Sequence, residues 1–303
     1  VTRNPGNTNR IFASGDCQAA TCGRVNPPTP WLVSRLNGHP SFRLYCFPHA
    51  GGNATSFLHW QNIIPSKFEI CGVQLPGRGA RYTEPQFKSF PSLIKTLADV
   101  IHTQDTLPFS FFGHSFGGLI AFEVARHLQK MGRRIPVHIF ASGCGAPRYR
   151  EISRNLHRLA DDELVDTLRH YDGTPPDLLN NQELMELALP TIRADFLLAS
   201  DYRYASAPPL ELSLTALAGR TDELSNMKII GGWAEEVTGE FDIQWFDGGH
   251  FFIESQREAL LSFLISKLND LTSTLPELHA CRPDQPHLDA SINNANVSFT
   301  RGG

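Results

Sequence analysis

Apolar residues along this chain fall into short dense runs separated by longer, periodic stretches. The runs Phe42–Phe47, Phe68–Leu75, Phe109–Phe112, Val137–Ala141, Leu212–Leu217 and Ile243–Phe246 read as strands. Their near-continuous apolar character suits strands covered on both faces. Between them, Leu93, Ile94, Leu97, Val100 and Ile101 recur at helical spacing, as do Leu119, Ile120, Val124, Leu128 and Met131. Leu261, Leu264, Ile265 and Leu268 line a final helix, and Ala54–Ile64 is a further predicted helix. Trp31–Arg35 and Phe42–Phe47 are expected to form a hairpin around Asn37-Gly38. Strands alternating with helices predict an α/β fold with a mainly parallel sheet and helices on both faces.

The stretch 148–206 interrupts that alternation. It carries helical patterns at Leu164, Val165, Leu168 and Tyr171 and at Leu184, Leu187 and Leu189, and it separates two core strands. Its place, where catalytic loops leave a parallel sheet, predicts a helical lid insertion. Two ordinary crossover helices joined by a long loop are the alternative. The expected organisation is therefore a core over 31–147 and 207–272, a lid over 148–206, and flexible polar tails over 1–30 and 273–303.

Composition narrows the classes. The chain has 303 residues, 41% of them hydrophobic, enough for a substantial core. A net charge of −4 without a basic cluster argues against nucleic acid as the partner. No apolar run approaches the roughly 18 residues a membrane span needs, and the polar first thirty residues lack the apolar stretch expected of a secretory signal. Six cysteines are scattered; Cys46, Cys71 and Cys144 are expected as buried thiols, and Cys17 and Cys22 lack a second ligand pair. The twelve histidines show no metal-ligand spacing, so no metal is expected and a reducing cytoplasm is the simplest setting.

The chemistry centres on Gly113-His114-Ser115-Phe116-Gly117, a Gly-x-Ser-x-Gly pattern between a predicted strand and a predicted helix. That context is the nucleophile elbow, a sharp turn holding a serine at strained backbone angles above the sheet. A serine hydroxyl needs a base. His250 follows the last strand in an Asp247-Gly248-Gly249 turn and precedes the last helix, which makes it the candidate. His114 is assigned a packing or loop-positioning role. Asp222, at the carboxyl end of Leu212–Leu217, is the candidate acid that orients the imidazole; Asp247 is the alternative, and Asp242 lies at the wrong end of its strand. The backbone N–H groups of Phe116 and of Ala50, in the loop Pro48-His49-Ala50-Gly51-Gly52, are the expected oxyanion donors.

Several segments together resemble the type II thioesterases, the stand-alone editing hydrolases of non-ribosomal peptide and polyketide synthesis. They are Phe47–Gly52, Leu75-Pro76-Gly77-Arg78-Gly79-Ala80-Arg81, Gly113–Gly118, Ala194-Asp195-Phe196 with Tyr202-Arg203-Tyr204, Gly219–Asp222 and Gly248–Phe252. The resemblance implies an α/β-hydrolase with a helical lid that cleaves acyl thioesters from the phosphopantetheine arm of a carrier protein, with no cofactor of its own. It supports Ser115, Asp222 and His250 as the triad and Ala50 and Phe116 as oxyanion donors. A monomer acting on an acyl or peptidyl carrier protein is expected. Product-releasing or cyclising thioesterases and fatty-acid chain-terminating enzymes share these motifs, and a general carboxylesterase is a further alternative; a non-catalytic binding protein would be expected to lack a triad member. The Pro-Gly-Arg-Gly segment is expected either to form a turn with Arg78 or Arg81 in surface ion pairs, or to meet a carrier phosphate. Leu178, Leu179, Met185, Phe196 and Leu197 are expected to form the lid's own core or an acyl channel.

Overall fold

Strand β2 (Phe42–Phe47) shows how the sheet is built. Its Phe42, Leu44 and Cys46 side chains enter one apolar cluster, while Tyr45 and Phe47 enter another on the opposite face. This is the period-two alternation of a strand. In this computed structural model, residues 29–35, 38–150, 155–171, 179–223 and 225–275 are described. The expected tails lie largely outside them.

Seven strands form one sheet in the order β1-β3-β2-β4-β5-β6-β7. The others are β1 (Leu32–Ser34), β3 (Phe68–Val73), β4 (Phe109–His114), β5 (His138–Ser142), β6 (Ser213–Gly219) and β7 (Phe241–Phe246). All neighbouring pairs are parallel except β1 with β3. The expected hairpin between the first two strands is therefore not formed: β1 pairs antiparallel with β3, with Leu32 opposite Val73. Both edges of β2 are already taken by parallel partners, leaving the outer edge of β3 for the incoming segment. Asn37, half of the supposed turn, lies outside the described residues.

Helices α2 (Phe90–Thr103) and α3 (Phe116–Lys130) pack on one face of the sheet through Leu93, Leu97, Ile120 and Val124. On the other face lie α1 (Thr55–Leu58) and α8 (Arg257–Ser273), through Phe57, Leu260, Leu264 and Leu268. The predicted helix over 54–64 is shorter than expected. It consists of α1 followed by a 3₁₀ turn over His59–Asn62, and Pro65 blocks continuation.

Between β5 and β6 the chain forms α4 (Asp161–Tyr171) and the 20-residue α5 (Gln182–Asp201), whose N-cap Asn181 accepts the Leu184 N–H. Leu164, Leu168, Leu179, Met185, Leu189 and Ile192 form a separate cluster, with Phe196 packed against it. Leu198 instead joins the main core. Leu179, Met185 and Phe196 thus belong to the core of this insertion, and Leu178 lies outside the described residues. The sequence pattern passed over α6 (Met227–Gly231) and the 3₁₀ turn Gly232–Glu235, which buries Trp233 with its indole N–H donated to the Cys144 carbonyl at 2.8 Å. The short α7 (Phe252–Ser255) leads into α8. Cys46, Cys71 and Cys144 are free and buried. Among the described residues no helix is long and apolar enough to cross a membrane, and no group of three or more His, Cys, Asp or Glu residues is placed to hold a metal.

Candidate active site

Ser115 stands alone between the end of β4 and the start of α3. Its φ of 55° and ψ of −116° place it in a sparsely populated region, and it is the only non-glycine at positive φ among the described residues. Such strain persists only where the surroundings over-determine it. Here the Ser115 N–H donates to the Ser142 carbonyl at 2.8 Å, and its carbonyl accepts the Gly118 N–H at 3.0 Å. The flanking glycines are required by space. A Cβ on Gly117 would sit 2.1 Å from the Phe47 carbonyl oxygen, and one on Gly113 would sit 2.3 Å from that of Gly117.

The loops after β6 and β7 bring the other two groups to this serine. Arg220 N–H donates to Phe246 C=O at 2.9 Å and Thr221 N–H to Gly248 C=O at 3.0 Å, so the two loops are stitched together. His250 Nε2 lies 3.0 Å from Ser115 Oγ, and His250 Nδ1 lies 2.9 Å from Asp222 Oδ2. The imidazole carrying its hydrogen on Nδ1 satisfies both: it donates to the carboxylate and accepts the serine O–H. Asp222 and His250 are both buried. Ser225 donates its hydroxyl to the same Asp222 oxygen at 2.7 Å. The alternative acid, Asp247, points elsewhere: its side chain is 82% exposed and pairs with Arg220 at 3.3 Å. Asp242 sits at the start of β7 and accepts the N–H of its neighbour Ile243.

Phe116 is the first residue of the 15-residue α3, whose opening N–H groups carry partial positive charge. Ala50 belongs to the loop after β2, a tight turn closed by the Gly52 N–H on the His49 carbonyl at 2.9 Å. β2 and β4 are neighbours in the sheet, which sets the two candidate donors on loops from adjacent strands. A cleft of about 450 Å³ reaches His250 and Asp222 from the side of Tyr171 and Phe251.

His114 does pack, as expected, but closer to the chemistry than its place on the elbow suggested. Fully buried, it holds its Nδ1 3.0 Å from Ser142 Oγ, and its ring centroid lies 5.2 Å from that of His250. Burial, then the neighbouring His250 and His49, hold its pKa well below the usual histidine value. Burial likewise lowers His49 to about 4, with His250 and Arg78 adding to the shift. Both rings are therefore held neutral beside the His250 imidazole. Neither Ser142 nor Ser225 carries any sequence signal of its role, since each acts only through loops brought together by the sheet.

The Pro-Gly-Arg-Gly segment forms the expected turn, continued by a 3₁₀ turn over Gly79–Arg81, and both arginines form ion pairs, but from buried positions. Arg78 is buried and forms a two-pronged ion pair with buried Asp195 of α5, with N···O distances of 2.6 and 2.7 Å. Arg81 is also buried, stacked 3.8 Å over the Trp31 ring and bonded to Glu84 and to the Gln74 carbonyl. Neither guanidinium is a surface group free to meet a phosphate. Both instead bind protein groups: Arg78 pairs wholly inside the fold, and Arg81 reaches out to the partly exposed Glu84.

The thioesterase domain model matches residues 42–268. The gramicidin S biosynthesis protein GrsT of Aneurinibacillus migulanus is 34% identical over 245 residues, covering 80% of this chain and 96% of that protein. The medium-chain S-acyl fatty acid synthase thioesterase of Rattus norvegicus is 33% identical over 243 residues, covering 77% of this chain and 89% of that protein. Among solved structures, the type II thioesterase BorB from the borrelidin biosynthetic cluster superimposes with a TM-score of 0.73 at 32% identity, covering 78% of this chain and 96% of that one. With strands β2 to β7 and every loop of the Ser115 site inside the matched span, this chain belongs to the thioesterase domain family.

Proposed function

We propose that this protein is a serine thioesterase of the editing (type II) class, hydrolysing acyl groups from the phosphopantetheine arm of a carrier protein in peptide or polyketide synthesis. The observation that carries the reading is the continuous hydrogen-bonded chain Asp222–His250–Ser115 at a strained elbow. Its similarity to proteins of gramicidin S and borrelidin biosynthesis supports the carrier-bound substrate class. In this reading Ser115, Asp222 and His250 are the catalytic residues, and Ala50 and Phe116 donate their backbone N–H groups to the oxyanion.

The steps follow from the geometry. Ser115 Oγ attacks the thioester carbonyl carbon while His250 Nε2 takes the hydroxyl proton, and Asp222 stabilises the resulting imidazolium. The carbonyl oxygen becomes an anion facing the Phe116 and Ala50 N–H groups. Collapse breaks the carbon–sulfur bond, and the departing phosphopantetheine thiolate takes the proton from His250. A water molecule, deprotonated by His250, then attacks the acyl-serine ester, releasing the carboxylic acid and regenerating Ser115. These protein groups supply all the proton transfers, so the reading calls for no cofactor beyond the arm the substrate brings.

In the same reading the segment 148–206 is a lid over a core of 31–147 and 207–272, and the protein works as a monomer in the cytoplasm. The lid admits the arm beside His250, where the cleft lies. One observation favours a second substrate reading: the rat relative is a medium-chain fatty acid synthase thioesterase. Thiol release from carrier proteins loaded with acetyl, aminoacyl, octanoyl and palmitoyl groups separates the two, with a simple oxygen ester alongside. Broad cleavage favouring short groups is the expected result. A sharp preference for one long chain points to chain termination or product release, and ester cleavage without thioester turnover overturns the thioesterase reading.

A further inference from the structure

The loop that carries Ala50 is gripped from two sides by groups distant in sequence. Asp195 Oδ2 accepts the Gly51 N–H at 2.7 Å while also receiving Arg78. Arg78 in turn donates to the Gly52 carbonyl at 3.2 Å. Gly51 has φ of 76°, and the Gly52 N–H bonds back to His49, so Gly51 occupies the position of a type II turn that requires positive φ. The central peptide of such a turn, here Ala50–Gly51, distinguishes type II from type I by the face toward which its N–H points. The Asp195 carboxylate selects that face.

The same stretch of α5 makes two more contacts with these loops. Ile192 Cγ1 lies 2.5 Å from where a Cβ on Gly51 would stand. Thr191 donates its hydroxyl to the Gly77 carbonyl at 2.7 Å. Pro190 precedes all three residues inside the helix and removes one helical N–H, so the anchored part of α5 begins where its backbone ladder is interrupted. Stability alone is a poor reason to bury Arg78 with Asp195, because desolvating both charges offsets most of their attraction. Fixing one geometry is what a fully bonded, two-pronged pair does well.

We propose that Asp195 is a positioning residue for the oxyanion hole. Its carboxylate, held by Arg78, orients the Ala50–Gly51 peptide and thereby the adjoining Ala50 N–H. The inserted helix is thus part of the working site as well as its cover. This rests on the reading of Ala50 as an oxyanion donor to the Ser115 adduct.

The test compares the wild-type protein, Asp195→Asn, and the double variant Arg78→Met with Asp195→Leu. Each is assayed for kcat and KM on acetyl-loaded carrier protein, for inhibition by an alkylboronic acid, and for thermal unfolding. The boronic acid forms a bond to Ser115 Oγ and becomes a tetrahedral anion, so its affinity reports on the hole directly. Replacing a buried ion pair with apolar side chains is often neutral for stability. The double variant is therefore expected to unfold near the wild-type temperature, with kcat about 10- to 100-fold lower, KM within about twofold, and boronate affinity reduced in step with kcat. Asp195→Asn keeps the volume but loses the charge and one prong, and is expected to lose about tenfold in kcat and boronate affinity. Wild-type kcat and boronate affinity in either folded variant overturns the proposal, as does a loss confined to KM. Absence of thioester turnover by the wild type counts against the functional reading alone, because boronate binding still reports on Asp195.

Discussion

Two groups converge on one oxygen of Asp222, and they are not equivalent. His250 Nδ1 and the Ser225 hydroxyl both approach Oδ2, at 2.9 and 2.7 Å. The first bond fixes the tautomer in which Nε2 accepts the serine proton; the second only steadies the carboxylate. Asp222→Asn preserves shape but offers its amide no preference for that tautomer. We expect kcat to fall by roughly 10³–10⁴-fold with little change in folding. Ser225→Ala removes one donor while the carboxylate keeps its histidine, so kcat should fall by about tenfold at most. Steady-state kinetics on one acyl-carrier substrate measures both, and equal losses in the two variants would contradict this division of roles.

The decisive element is the junction of β4 and α3. Strand, elbow and helix fit because Gly113 and Gly117 let their backbones approach to distances no side chain permits. Gly117→Ala puts a methyl group against the fixed Phe47 carbonyl, which a flexible neighbour cannot relieve. We expect a loss of about 3 kcal/mol or more in stability, or no soluble protein, read from chemical unfolding or expression yield. Much of this level was legible in the sequence. The central parallel strands are buried on both faces and so read as apolar runs, and the elbow is five contiguous residues. His250 was legible because it follows the last strand, and Asp222 because it lies in the loop just after the preceding one. Less visible were features that depend on distant partners. The Arg78–Asp195 pair joins residues 117 positions apart, and nothing local announces that either charge is buried. The pairing of β1 failed for the same reason, since its turn signal suggested a neighbour that the sheet had already filled. The helix α6 is only five residues long, too short to show a period.

At the scale of the whole molecule, buried His114 and His138 and half-buried His49 give the fold a shared response to acid. Burial lowers His49 to about 4 and His138 to about 3 from a usual 6.5, and holds His114 well below it. Each is neutral in the folded protein and takes up a proton more readily once unfolded. Their contribution is therefore fully present above about pH 6.5 and is lost as pH falls from there toward 4 and 3. Unfolding temperature should decline across that window before most carboxylates titrate. His138→Gln, which keeps a donor for the Thr215 hydroxyl 2.9 Å from His138 Nε2 but cannot ionise, should make the decline shallower. An unchanged slope in that variant would show that other groups set the acid limit. Whatever sets the acid limit, the functional account stands on what Ser115 does. The direct measurement is peptide mass spectrometry on protein quenched within one turnover of mixing with acetyl-loaded carrier protein. One acetyl group on the peptide containing Ser115, absent in Ser115→Ala together with thiol release, is the predicted result. Acetyl on another residue, or continued thiol release by Ser115→Ala, would contradict the account.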